Sequence, residues 1–237
     1  MIFVIPMAGK GQRFVDGGFD VPKMLIRAKG KTLLEWSIDS LPLDLCTRLI
    51  FIGLSEHKSK FSVDSFIESK YGSVCPVMQI YIDSVTRGQA ETVLIAKDSI
   101  PTESPLLIFN IDTAFQSTTL RNNLLDHSHD GILGSFCSQA PQFSYARTDS
   151  EHFIVEVAEK KVISPNALTG LYHFQKAVWF FDAAEKAISN KETVNNEFYI
   201  APLYNRLIEK GKKFRLDKVE SFDILGTPQE LELFLQK

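Results

Sequence analysis

Gly9-Lys10-Gly11-Gln12-Arg13-Phe14 follows directly on the apolar run Ile2 to Pro6, and Pro22-Lys23 lies a short way downstream. Glycines let successive backbone N–H groups converge on one anion, while Lys10, Arg13 and Lys23 add positive charge around it. That is chemistry suited to a polyphosphate. The same residues also read as a tight turn after a strand, with solvated basic side chains. The spacing is not that of a Walker loop, which needs Gly-Lys-Ser/Thr after four spacers. It is not the dinucleotide fingerprint either, because Phe14 stands where the third glycine belongs.

Asn110-Ile111-Asp112 closes the most apolar run of the chain, Pro105 to Ile111. Ligands of open α/β sheets bind beyond the carboxyl ends of the strands, so an acid there is placed to hold Mg²⁺ against a nucleotide. Asp112 serves equally as a cap for a segment starting at Thr113. Thr86-Arg87-Gly88-Gln89-Ala90-Glu91 is a glycine turn opening a helix, and Glu159-Lys160-Lys161 is a charged run that also suits a solvated loop. His57, His152 and His173 are scattered, and His127-Ser128-His129 lacks a third ligand at metal-binding spacing.

Those residues require strands that end at a common edge. Ile2 to Pro6, Arg48 to Leu54, Val77 to Ile82 and Pro105 to Ile111 are apolar runs of strand length. Between them Thr32-Leu33-Leu34-Glu35 has the capping-box form of a helix start running towards Leu41, and Lys60 to Tyr71 and Gly88 to Asp98 have helical spacing. The alternation predicts a parallel sheet with Pro105 to Ile111 at its centre. Gly131 to Cys137, Gln142 to Arg147, Phe153 to Val157 and Asn166 to Phe174 read as strands with added antiparallel pairing. Helices are expected over Lys176 to Ser189 and Asn196 to Lys210, and a strand over Phe214 to Val219. Thr227-Pro228-Gln229-Glu230 combines a capping box with proline at the first helical position, which starts a terminal helix.

The chain of 237 residues has the size of one α/β domain and shows no repeat or linker, so residues 1–237 are expected to form a single domain. A hydrophobic share of 44%, a charged share of 23% and a mean hydropathy of -0.03 exclude a bundle of membrane spans. A net charge of -3 offers no global basic excess for nucleic acid. Ile2 to Pro6 is too short for a signal-peptide core, and Cys46, Cys75 and Cys137 lack paired metal spacing, so a cytoplasmic protein with reduced thiols is expected. The terminal amphipathic helix suits packing on its own sheet or on a partner, which leaves the oligomeric state open.

The ordered set resembles the sugar-phosphate nucleotidyltransferases, whose members share a Gly-x-Gly-x-Arg-Phe loop followed by Pro-Lys. Gly9, Gly11, Arg13, Phe14, Pro22 and Lys23 match that pattern. The resemblance continues through Gly88, Asp112, Glu159-Lys160, Gly170-Leu171-Tyr172 and Gly226-Thr227-Pro228, nearly the whole chain in order. It implies a Rossmann-like three-layer α/β/α fold with a mixed, mainly parallel sheet. It further implies an enzyme that transfers a nucleoside monophosphate from an NTP to a sugar 1-phosphate or similar acceptor, with Mg²⁺ as cofactor and release of pyrophosphate. Such an enzyme serves precursor synthesis for surface polysaccharide or other glycoconjugates.

By that resemblance Arg13 and Lys23 are catalytic. Met7, Ala8, Gly9, Gly11, Asp83, Gly88 and Gln89 bind the nucleotide, and Asn110, Ser144, Glu159, Lys160 and Gly170 bind the acceptor. Asp112 and Asp223 hold the metal. Many members carry their second metal aspartate at the position of Ile224, to which Asp223 is the neighbour. Asp83 stands where several members have glutamine. Phe143-Ser144 replaces a Tyr-Gly pair, which implies an acceptor other than glucose 1-phosphate. Two other functions use related features. A nucleotide-sugar glycosyltransferase would need an Asp-x-Asp motif, of which Asn110-Ile111-Asp112 has one acid, and a nucleotide sensor would bind without turnover.

Overall fold

Alternate residues of the first strand face opposite ways: Ile2 and Val4 enter one apolar core, Phe3 and Ile5 another. Ile50 and Ile52 against Leu49 and Phe51, and Leu106 and Ile108 against Leu107 and Phe109, divide in the same manner. Strands that are apolar on both faces must be covered on both, and this builds three layers.

The computed structural model describes residues 1–237. Its first half runs β1 (Ile2–Pro6), α1 (Gln12–Asp16), β2 (Arg27–Ala28), β3 (Lys31–Thr32), α2 (Leu33–Ile38), β4 (Arg48–Leu54), α3 (Ser55–Phe61), α4 (Val63–Tyr71), β5 (Val77–Ile82), α5 (Gln89–Leu94) and β6 (Leu106–Phe109). The second half runs β7 (Thr113–Gln116), α6 (Leu120–Leu125), β8 (Gly131–Cys137), β9 (Tyr145–Thr148), β10 (Ile154–Ala158), β11 (Asn166–Phe174), α7 (Ala177–Ser189), α8 (Leu203–Glu209), β12 (Phe214–Lys218), β13 (Ser221–Ile224) and α9 (Pro228–Gln236).

One nine-stranded sheet carries the path β10-β9-β11-β6-β1-β4-β5, with β8 joining β11 to β12. β1 lies parallel between β4 and β6, β4 lies parallel to β5, and β11 turns the sheet antiparallel at β6. The expected Rossmann-like, mixed and mainly parallel sheet is present. No helix is long and apolar enough to cross a membrane.

Local chemistry decides the element ends. Thr32 and Glu35 form the reciprocal capping box that starts α2. The expected helix over Lys60 to Tyr71 is instead two, α3 and α4, broken at Ser62 with φ 52. The helix expected over Gly88 to Asp98 stops at Leu94, and a 3-10 turn over Lys97–Ser99 follows. The one expected from Asn196 begins only at Leu203, because Asn195 and Asn196 take positive φ values of 49 and 64. Asp112 caps no helix: Thr113 begins β7, which pairs with β13 in a small separate sheet that sequence periodicity did not reveal.

α9 buries Leu231 and Phe234 on its own chain, where Phe234 meets Trp36 edge to face at 5.1 Å. The last residue of β6, Phe109, is fully buried and packs edge to face on Phe115 at 5.3 Å, on either side of Asn110-Ile111-Asp112. That aromatic pair pins the bend. Phe109→Ala should therefore destabilise the protein by about 3–5 kcal/mol, read as a lower urea midpoint. An unchanged midpoint would show that the bend is held by other contacts.

Candidate active site

Parallel pairing of Ile2 with Leu106 and of Val4 with Ile108 brings the chain out of β1 and β6 at the same edge of the sheet. The loop after β1 therefore runs beside Asn110-Ile111-Asp112, and between them opens a cleft of about 880 Å³. Met7, Ala8, Gly9, Gly11, Arg13, Lys23, Gly88, Gln89, Asn110, Asp112, Ser144, Glu159, Lys160 and Gly170 all line it. Asp83 and Asp223 do not. Asp83 stops short of the lining, which begins at Val85 on that segment, and Asp223 points away to bond Lys237 Nζ at 2.5 Å. In an antiparallel ribbon a one-residue step changes the face, so Ile224 looks into the cleft and Asp223 out of it.

Gly11 takes φ 63 and caps α1, and the short helix folds Phe14 into the core against Phe19 at 5.2 Å. At Gly9 a side chain would meet open space, so the backbone there faces the cleft bare. Lys23 opens the 3-10 turn Lys23–Leu25 with its side chain only 14% exposed, and its Nζ lies 3.2 Å from Asp112 Oδ2. Arg13 lines the same end of the cleft, is exposed, and forms no ion pair. One cation is thus fixed against the acid and another is free for an anion.

The middle of the cleft is held by Asn110. Its side-chain oxygen accepts a bond from Gln89 Nε2, and a Cβ on Gly170, at φ 89, would stand 2.3 Å from its Nδ2. Only glycine fits there. Gly88 is equally constrained at φ 144, since a Cβ would lie 2.4 Å from the backbone nitrogen of Phe198. Arg87, one residue earlier, forks onto Glu91 and lies 5.0 Å over the Phe198 ring.

At the far end Ser144 donates its hydroxyl hydrogen bond to Glu159, and Lys160 Nζ bonds the hydroxyl of Tyr199. Burial holds the Tyr199 phenol well above its usual range, and Glu197 adds to this. Burial also pushes the Glu159 carboxyl up, with the Ser144 bond and the Lys160 charge pulling the other way.

Three groups in the cleft were not singled out by sequence reasoning. Tyr199 and Asn196-Glu197 were hidden inside the helix expected over Asn196 to Lys210, and Asn195 just before it, although the Asn-Asn pair is a left-handed turn signal. Glu230, at the start of α9, was assigned to its capping box, yet it lines the cleft. Asp112 Oδ1 and Glu230 Oε2 are both buried without a hydrogen-bond partner. An orphaned carboxylate oxygen facing a cleft that also holds cations fits a hard divalent ion taking oxygen ligands.

No family model matches the chain. A nucleoside-diphosphate-sugar pyrophosphorylase from Vibrio cholerae RC9 superposes over the whole of both chains with a TM-score of 0.86 and 30% identity. The chain accordingly belongs to the sugar-phosphate nucleotidyltransferases of the nucleoside-diphosphate-sugar pyrophosphorylase type, a class of enzymes. The inositol-1-phosphate CTP transferase of T. maritima has the same fold at 16% identity, covering 96% of this chain and 90% of its own, with a TM-score of 0.73. The bifunctional protein GlmU of Thermoanaerobacter pseudethanolicus is 21% identical over 99% of this chain. The chain spans about half the length of the curated relatives it matches.

The raised carboxyl of Glu159 has a measurable sign. A group harder to ionise folded than unfolded leaves stability intact at acid pH and removes it as pH rises through the folded value. Glu159→Gln should therefore melt above the unsubstituted protein at neutral pH, and the gap should close below the ordinary carboxylate range near pH ~4. Thermal unfolding across that range reads it, and a gap independent of pH would show that ionisation of Glu159 is not the cause.

Proposed function

We propose that this enzyme transfers a nucleoside monophosphate from an NTP to a sugar 1-phosphate or a similar small phosphorylated acceptor and releases pyrophosphate. The observation that carries this reading is the approach of Lys23 Nζ to Asp112 Oδ2, 3.2 Å, at the common mouth of the glycine loop and β6. It sets a cation and a metal-binding type of oxygen together where a triphosphate meets the loop.

An oxygen of the acceptor phosphate attacks the α-phosphorus of the nucleotide. The bond from that phosphorus to the oxygen bridging to the β-phosphate breaks, and pyrophosphate leaves with the bonding electrons. The attacking oxygen is already anionic, so the protein has little proton transfer to manage and works by positioning and neutralising charge. Arg13 and the backbone from Met7 to Gly11 hold the departing phosphates, and Lys23 sits at the reacting ones. Gly88 and Gln89 support the nucleoside. Lys160 meets the acceptor phosphate, while Asn110, Ser144, Glu159 and Gly170 form the wall against its remaining groups. Asp112 would hold Mg²⁺, which would supply further charge neutralisation on the phosphates.

Asp83 and Asp223 have no part in this assignment, since neither reaches the cleft. A single acid at the end of β6 also distinguishes the site from the Asp-x-Asp pattern of a glycosyltransferase. The enzyme is assigned to the cytoplasm, in keeping with three free cysteines, and to precursor synthesis for surface polysaccharide or another glycoconjugate.

Pyrophosphate release across a panel of nucleoside triphosphates and sugar phosphates tests the reaction. Turnover with one pair supports it, and tight nucleotide binding without pyrophosphate for any acceptor overturns it in favour of a sensor. In the active pair Lys23→Ala should lower kcat by about 10²–10³-fold with an unchanged melting temperature, whereas near-normal turnover would remove Lys23 from the reacting centre. Asp112→Asn should raise the Mg²⁺ concentration needed for half-maximal rate, and an unaltered metal titration would exclude Asp112 as a ligand.

A further inference from the structure

We propose that Glu230, from the first turn of α9, supplies a second protein carboxylate to the divalent cation at Asp112. This rests on the assignment of Asp112 as a metal ligand.

The chain contains the same Thr-x-x-Glu signal at two helix starts, and the two behave differently. At α2 the Glu35 carboxylate returns to the backbone N–H of Thr32 at 2.8 Å and closes the box. At α9 only half of the box forms: Thr227 Oγ1 accepts from the Glu230 N–H at 3.2 Å, and the Glu230 carboxylate does not return. Its Oε2 is instead buried with no partner, in a residue that lines the cleft. That oxygen forfeits both its capping bond and its hydration, which is costly unless a cation occupies the space before it.

Gly226 shows what lies in that space. A Cβ there would stand 3.1 Å from Glu230 Oε2, 3.9 Å from Asp112 Cβ and 4.0 Å from Asp112 Oδ2, so both acidic side chains border the space where its side chain is missing. The backbone fixes this approach, because the N–H of Leu225 donates to the carbonyl of Asp112 at 2.6 Å. Lys23 reaches only Asp112 Oδ2, so Asp112 Oδ1 and Glu230 Oε2 are left without a partner. Two carboxylates with one lysine between them have oxygens to spare for a shared cation, and Mg²⁺ typically takes one or two carboxylates together with substrate phosphates and water. Position 224 on the preceding strand is isoleucine and Asp223 faces outward, so no other acid of that segment reaches the gap.

The probe is Mn²⁺ alone, titrated into the full chain and followed by its electron paramagnetic resonance signal, beside thermal unfolding in metal-free buffer. Glu230→Gln keeps the size and the capping capacity of the side chain. It should weaken Mn²⁺ binding by at least about tenfold while the metal-free melting temperature stays level or rises, because the unpartnered charge is gone. Asp112→Asn should weaken Mn²⁺ as well. If Glu230→Gln leaves the Mn²⁺ affinity within twofold of the unsubstituted protein while Asp112→Asn lowers it, the proposal fails and the Asp112 site stands. If neither substitution changes it, both assignments fail. A fall in metal-free stability with unchanged Mn²⁺ affinity would return Glu230 to a helix cap and likewise overturn the proposal.

Discussion

Because Ile2, Phe3 and Val4 pair in parallel with Leu106, Leu107 and Ile108, the chain leaves both strands at one edge of the sheet. Everything in the cleft depends on that register. It sets the glycine loop beside the β6 bend, and the 3.2 Å approach of Lys23 to Asp112 is its consequence. Parallel strands cannot be joined by a tight turn, so the crossovers between them must be long. α1 and the β2-β3 hairpin occupy part of the first crossover, and with them Arg13 and Lys23 are carried to the cleft edge.

The second half of the chain completes the site by reversing direction. β11 runs antiparallel to β6, so Gly170 in its middle comes to the β6 end and lies against Asn110. That strand links one end of the cleft, built by residues before position 113, to another built from Ser144, Glu159, Lys160 and Tyr199. The bare backbone of Gly170 is what permits the approach. Gln89 closes on Asn110 from the other side, so α5, β6 and β11 meet at one side chain.

Much of this was legible where one local rule governs. Apolar runs located β1, β4, β5 and β11, and the Gly-x-Gly-x-Arg-Phe loop located one wall of the cleft, which Gly9, Gly11 and Arg13 line. Asp83 and Asp223 misled, since their roles were borrowed from positions in relatives while their facing depends on strand ends and on the pairing of β13 with β7. A shift of one residue reverses a strand's faces, and spacing alone does not report it. Glu230 was hidden for the opposite reason. Its motif was read correctly as a helix start, but whether the carboxylate closes the box depends on what stands opposite, and Asp112 is far away in sequence. Tyr199 was lost in a helical period that the left-handed Asn195 and Asn196 interrupt.

Neighbouring charges at the Glu159-Lys160 end also explain how the cleft keeps a cation available. Glu159 and Lys160 are adjacent in sequence, yet they form no ion pair. Lys160 takes φ 53, a left-handed conformation that costs a non-glycine residue about 1 kcal/mol, and the turn sends the two side chains to different partners. Glu159 receives the Ser144 hydroxyl, and Lys160 rests on Tyr199. Tyr199 is held neutral by burial and by Glu197, so it orients the ammonium without cancelling its charge. Had Lys160 closed on Glu159, an arriving phosphate would have to break a partly buried ion pair, with the loss of both partners' compensation. Against a neutral phenol it gives up only a weaker contact, so the strained turn leaves Lys160 free for an anion while Glu159 keeps the Ser144 hydroxyl.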